Sequence, residues 1–135
     1  MFGLFRKYKN KKNAGSTNPA DAAMCEFSKG NYKKALAIGL EILKKDTSIA
    51  MSWRFVGDCQ FKLNMLKGAF ESFSNADRIG GPGTEDAFLW MAICKYSAGI
   101  KQEAIETLEW YLNNKDLSDE IKSKAAMALS EMKEN

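Results

Sequence analysis

At 135 residues the chain is the size of one domain, which excludes a multidomain enzyme. Its 45% hydrophobic and 27% charged residues are ordinary for a folded globular protein, and no apolar run approaches the roughly 20 residues that cross a bilayer. The net charge of +3 hides an asymmetry: residues 1–12 hold Arg6, Lys7, Lys9, Lys11 and Lys12 without an acid, leaving 15 basic against 17 acidic residues elsewhere. A body of net −2 is poorly suited to neutralising many phosphates at once, so no nucleic-acid partner is expected.

The first segment, MFGLFRKYKNKK, interleaves Phe2, Leu4, Phe5 and Tyr8 with cations. It lacks the apolar stretch of about 7–15 residues of a secretory signal, and a cytoplasmic protein is expected. Phe2, Phe5 and Tyr8 or Lys9 stand at helical spacing, and three readings are open. The segment rests on anionic lipid through Phe2, Leu4, Phe5, Arg6, Lys7 and Lys9, each cation near the surface contributing about 1 kcal/mol, which would place the protein peripherally at the inner face of a membrane. It folds back into a groove of its own chain or of a second copy, giving a homo-oligomer in the latter case. Or it is a solvated tail. Asn13 to Thr17 read as a linker, so residues 1–15 form an arm and linker.

Asn18, Pro19 and Asp21 are an N-cap, a first-turn proline and an early acid, and a helix starts near Pro19. Its partner begins after Asn31, where Tyr32, Leu36, Leu40 and Leu43 keep helical spacing until Lys44 and Lys45 favour the C-terminal dipole. Asp46 or Thr47 is expected to cap the third helix, and Thr84, followed by Glu85 and Asp86, the fifth. Ser118 precedes Asp119 and Glu120, and Ile121, Ala125, Ala128, Leu129 and Met132 form an apolar stripe on a last helix in residues 119–135.

A period near 34 residues underlies this order. Ala35, Ala69 and Ala104 each follow a cysteine by ten residues: Cys25, Cys59 and Cys94. Two residues after each cysteine comes a ring, Phe27, Phe61 or Tyr96, and five after it comes Gly30, Asn64 or Gly99, types that tolerate a left-handed backbone. In the middle unit Trp53, Val56, Gly57, Ala69, Phe73 and Ala76 alternate large and small as in a tetratricopeptide repeat, and the sequence resembles that family. The resemblance covers residues 16–118 as units 16–49, 50–83 and 85–118. It is loosest where Pro19 and Phe88 stand in the Trp53 column, and Gly80 to Gly83 replace the usual turn. It implies an all-α, right-handed superhelical solenoid of antiparallel helix pairs, closed by the last helix as a cap.

Catalytic, metal and cofactor chemistry finds no support in the sequence. Cysteines spaced 34 and 35 apart are neither a zinc knuckle nor a redox C-x-x-C pair, and small buried packing groups explain them better. Gly80 to Gly83 lack the Lys-Ser/Thr of a phosphate loop, and Glu85 and Asp86 suit a helix start better than an acid pair. No enzyme, cofactor or metal is expected.

The family resemblance implies that the first helices of the repeats line a groove for a partner's helix or extended apolar peptide. The inward-facing columns map to Ala20, Met24, Phe27 and Ser28 in the first unit, Arg54, Asp58, Phe61 and Lys62 in the second, and Leu89, Ile93, Tyr96 and Ser97 in the third, and all of these but Ala20, Ser28 and Ser97 are the nine residues expected to contact the partner. Apolar side chains would fill pockets while Arg54, Asp58 and Lys62 orient the ligand; the competing reading for Phe27, Phe61 and Tyr96 is core packing. A subclass of the family clamps chaperone C-termini with Lys, Asn and Arg. Ala20, Met24, Phe55, Asp86 and Trp90 occupy the matching positions here, so no such tail is expected to bind. The expected role is an adaptor or scaffold without enzymatic activity. The alternatives are a small chaperone of a bacterial secretion system, or a scaffold tethered to a membrane by the arm.

Overall fold

Three times along the chain a helix stops at a residue with positive φ and the backbone turns back: Gly30 at 84°, Asn64 at 60° and Gly99 at 89°. The bonds around these residues repeat with the period of the sequence. Gly30, Asn64 and Gly99 donate their N–H to the carbonyls of Phe27, Phe61 and Tyr96, each at 3.0 Å. The next residues, Asn31, Met65 and Ile100, reach back to Glu26, Gln60 and Lys95 at 2.8–2.9 Å. This is the double C-terminal cap of a helix ending in a left-handed residue, and it satisfies carbonyls that would otherwise be left without a donor. Asn64 takes a conformation that costs most side chains energy, and short polar side chains such as its own tolerate it best.

The computed structural model describes residues 18–134, which form seven helices and no strand. They are α1 (Pro19–Ser28), α2 (Tyr32–Lys45), α3 (Ala50–Lys62), α4 (Leu66–Ile79), α5 (Ala87–Ser97), α6 (Lys101–Asn114) and α7 (Asp119–Glu134). The left-handed turns join α1 to α2, α3 to α4 and α5 to α6. Each helix packs chiefly on its neighbours in sequence, so the chain is a succession of hairpins with α7 laid on α6.

The starts of the first and last helices agree with their sequence signals. Asn18 Oδ1 accepts from Ala20 N at 2.9 Å, and Ser118 Oγ accepts from Ile121 N at 3.3 Å. The other two expected caps are corrected. Asp46 does not cap α3: its Oδ1 accepts from Ser48 N at 2.9 Å and Ser48 Oγ at 2.6 Å, closing a local turn, and α3 starts four residues later. Those bonds hold the Asp46 carboxyl below its ordinary pKa. Thr47 uses its carbonyl instead, accepting from Trp53 Nε1 at 2.9 Å. Thr84 is buried and donates to Gly81 O at 2.7 Å, while α5 begins only at Ala87.

One core runs through the hairpins and is built on small residues at the repeating columns. Ala35, Ala69 and Ala104 are fully buried, as are Cys59 and Cys94, and Cys25 nearly so. Rings bridge the helices: Phe27 and Phe55 have centroids 5.8 Å apart, Phe61 and Trp90 5.2 Å, and Phe88 and Tyr111 stack at 4.6 Å. On α7 the expected stripe faces inward, with Ala125 and Met132 buried and Ile121, Ala128 and Leu129 packed beside them.

Gly57 marks the closest approach in the middle hairpin, since a Cβ there would lie 2.7 Å from the ring of the fully buried Phe73. Gly57→Ala should therefore destabilise the fold by about 1–3 kcal/mol despite alanine's higher helix propensity, because overpacking outweighs the ~1 kcal/mol propensity gain. Urea unfolding of the variant beside the parent checks this.

Candidate functional site

Five of the nine expected groove residues are enclosed rather than presented. Arg54, Asp58, Leu89 and Ile93 are at most 1% exposed and Phe27 is 5% exposed, so none offers an open surface to a ligand. The reason is packing: α3 lies between α2 and α4, and α5 between α4 and α6, while Phe61 of α3 reaches Trp90 of α5, so the side chains expected to line a groove meet neighbouring helices instead. Phe27 packs edge-on against Tyr32 at 5.0 Å. Met24, Phe61, Lys62 and Tyr96 remain half-buried. Lys62 Nζ stands 5.7 Å from the Tyr32 ring centroid, and Lys101 Nζ 5.4 Å from that of Tyr96. Phe2, Leu4, Phe5, Arg6, Lys7 and Lys9, named as a membrane or self contact, lie outside the described residues.

Arg54 and Asp58, expected at a groove surface, belong to a buried ionic network. Arg54 Nε donates to Asp58 Oδ1 at 3.2 Å, and its two terminal nitrogens hold Asp86 in a fork, Nη1 to Oδ1 and Nη2 to Oδ2, the latter at 3.3 Å. Nη1 also donates to the Gly83 carbonyl at 3.4 Å, and the guanidinium stands 5.9 Å from the Phe73 ring centroid. This geometry explains why Asp86, at the start of α5, caps no amide of its own helix: a charged planar donor takes its carboxylate. The network ties α3 to the turn that launches α5.

The cysteines of the repeating column are free thiols, and all three are buried. Burial, and secondarily the Asp58 charge, pushes Cys59 and Cys94 up to about 12, which makes them poor nucleophiles and poor metal ligands. Among the described residues no group of three or more Cys, Asp and Glu side chains is placed to hold a metal ion, and no helix is long and apolar enough to cross a membrane.

Among the described residues, an apolar cleft of about 340 Å³ opens between α1, α2 and α3. Ala20, Ala23 and Met24 come from α1, Gly39 and Ile42 from α2, and Ile49, Met51, Ser52 and Phe55 from the start of α3. Its origin is a size mismatch. Gly39 lets α3 approach α2 so closely that a Cβ there would lie 3.0 Å from Val56, while Ala20 and Ala23 do not fill the space left beside them. The rim is unusually apolar for an interhelical connection, with Ile49 48% and Met51 37% exposed. Ala20 and Met24 are shared with the expected groove lining. Ile42, Ile49, Met51 and Phe55 were missed, and the signal for them was an Ile-Ala-Met sequence where a turn normally carries polar residues.

No protein-family model matches the chain, and no curated protein matches it.

Arg54→Met would leave Asp58 and Asp86 without their shared cation and should cost about 3–5 kcal/mol of stability, read from urea unfolding, with Arg54→Lys losing less. The thiols make a separate prediction. An unfolded chain releases their protons near pH 9.0, whereas the folded chain keeps them to about 12, so above pH 9.0 the unfolded state binds fewer protons and stability falls as pH rises. Between pH about 8 and about 10.5 the loss should be of order 2 kcal/mol per thiol. The Cys59→Ala/Cys94→Ala chain should show a flatter dependence across that range, and Tyr111, raised to about 12 by burial and by Asp77, adds a further alkaline loss in both chains.

Proposed function

We propose that this chain is a non-enzymatic protein-binding module of the tetratricopeptide type, a right-handed solenoid of three helical hairpins. It receives an amphipathic helix or extended apolar segment of a partner in the cleft between α1, α2 and α3. The observation that carries this reading is the cleft: a partly open apolar concavity walled by flexible methionines, which adapt to differently shaped apolar anchors. The fold reading is supported by the threefold recurrence of one C-terminal cap, one buried alanine column and one buried cysteine column at a period of 34 to 35 residues.

Met24, retained from the expected groove, and Met51 are the residues proposed to contact a ligand directly. Phe61, Lys62 and Tyr96 lie farther along the chain of hairpins, and a longer ligand would extend toward them.

The test is affinity capture from the source cell with the full chain beside Met24→Glu/Met51→Glu, read by mass spectrometry. Both side chains are partly exposed, so the variant is expected to keep its helical circular-dichroism signal. One or more partners should be depleted about tenfold or more by the two charges. An unchanged captured set with an intact fold overturns the proposal.

A further inference from the structure

We propose that a pocket where α4, α5 and α6 meet receives the guanidinium group of an arginine side chain presented by a partner. This pocket is separate from the cleft between α1, α2 and α3, and the inference does not depend on the use of that cleft.

The pocket measures about 280 Å³ and opens around the connection from α4 to α5. Its origin is a substitution within the repeat. Phe88 stands in the column of Trp53, whose Nε1 donates to the Thr47 carbonyl at 2.9 Å and ties down the connection before α3. A phenyl ring is smaller and has no N–H, so the Gly81 carbonyl is met by the Thr84 hydroxyl at 2.7 Å instead, and space remains beside the ring. The volume lies just below the usual range of about 300–1,000 Å³ for ligand pockets, which suits one long side chain.

Three features of the walls select a cation whose charge is spread over a plane. The first is charge. Asp77, Glu85 and Asp116 line the pocket against one cation, Lys115, whose ammonium stands 5.5 Å from the Trp110 ring centroid. Asp77 is held by the Tyr111 hydroxyl at 3.0 Å and Glu85 by the Gly83 amide at 3.2 Å, both neutral donors. None of the three carboxylates enters an ion pair among the described residues. The second is the helix ends. α4 and α6 both finish beside the pocket, and each shows one closing backbone bond among the described residues, Gly80 N to Ala76 O at 2.9 Å and Lys115 N to Tyr111 O at 3.0 Å. The remaining terminal carbonyls carry the negative end of each helix dipole. The third is an aromatic wall, Phe88 and Tyr111 stacked at 4.6 Å with their planes 11° apart.

Among the described residues no three acids are gathered closely enough to hold a metal ion, so the negative charge surrounds a cavity instead of converging on a point. A guanidinium matches that distribution. Its five N–H donors diverge in one plane toward separated acceptors, and its faces pack on rings, whereas an ammonium is a compact, strongly hydrated point charge. The neighbouring junction already uses this chemistry, since the Arg54 fork holds Asp86 beside the ring of Phe73.

The test titrates the full chain with acetyl-Gly-Arg-Gly-amide and follows backbone amide resonances. The Gly80, Gly81, Glu85 and Asp116 amides should shift together and saturate with a Kd of about 1–10 mM. The same peptide with citrulline, the uncharged isostere of arginine, should bind at least about tenfold more weakly, and the lysine peptide severalfold more weakly. Glu85 and Asp116 are exposed, so the Glu85→Gln/Asp116→Asn chain is expected to keep its helical circular-dichroism signal. It should bind the arginine peptide about tenfold more weakly, and Lys115→Ala should bind it about two- to threefold more tightly. Equal affinity for the citrulline or the lysine peptide overturns the inference, as does an unchanged affinity in Glu85→Gln/Asp116→Asn. Shifts confined to Met24, Met51 and Phe55 overturn it in favour of the cleft. None of these outcomes bears on the capture test, which reads the cleft by itself.

Discussion

Everything in this fold depends on each hairpin's first helix stopping within one residue of the right place and turning left-handed. The turn at Gly30, Asn64 and Gly99 brings Ala35, Ala69 and Ala104 to full burial, because the second helix can lie down on the first only if the connection is short and its carbonyls are satisfied. A one-residue error would rotate the second helix by about 100° and turn its apolar stripe away from the core. The repetition of the cap to within about 0.1 Å is therefore the physical content of the sequence period.

Hairpins alone do not stack, and the junctions between them use different chemistry. Between the second and third hairpins the connection carries three glycines with positive φ, Gly80, Gly81 and Gly83, so its backbone has little intrinsic preference for one shape. The Arg54 fork on Asp86, with the bond to the Gly83 carbonyl, supplies that preference from the neighbouring helix. A buried ion pair is a weak source of net stability because desolvating the charges is costly. Its consequence here is geometric: it defines where α5 starts, and with it the position of Trp90, which meets Phe61 and Phe73. Farther on, Tyr111 donates to Asp77 at 3.0 Å and stacks on Phe88, joining α6 to α4 and α5 without a full ion pair.

The parts of this structure legible in the sequence are those governed by local chemistry. Asn18 beside Pro19, Ser118 before two acids, and a glycine or asparagine five residues after each cysteine state their roles without reference to the rest of the chain. The caps at Asp46 and Thr84 were misread because a side chain able to cap a helix can also close a tight turn, and the choice depends on neighbours such as Ser48 and Gly81. Arg54 and Asp58 were misplaced for a related reason. A column on a repeat says which way a side chain points, not how closely the next helix covers it, and a charged pair reads as surface until its partner Asp86 is found 32 residues away. The cleft was least visible, since it is defined by what Ala20, Ala23 and Gly39 leave unfilled.

The two ends of the stack face the same physical problem and meet it differently. A terminal hairpin has an apolar side with no further repeat to cover it. After α6 the problem is met by α7, whose Ala125 and Met132 are buried and whose Lys133 pairs with Glu109 at 3.0 Å. At α1 and α2 the described residues provide no such helix, and the apolar surface is interrupted by small side chains and left partly open. Filling the opening with even one large apolar side chain would gain about 1.5–3 kcal/mol, an appreciable share of the stability of a domain this size. A gain of that size, left uncollected by the packed helices, is a standing driving force for some segment to enter. The difference lies in side-chain size: Ala20, Ala23 and Gly39 leave the opening beside α1, whereas Met132 and Ala125 close the end beside α7.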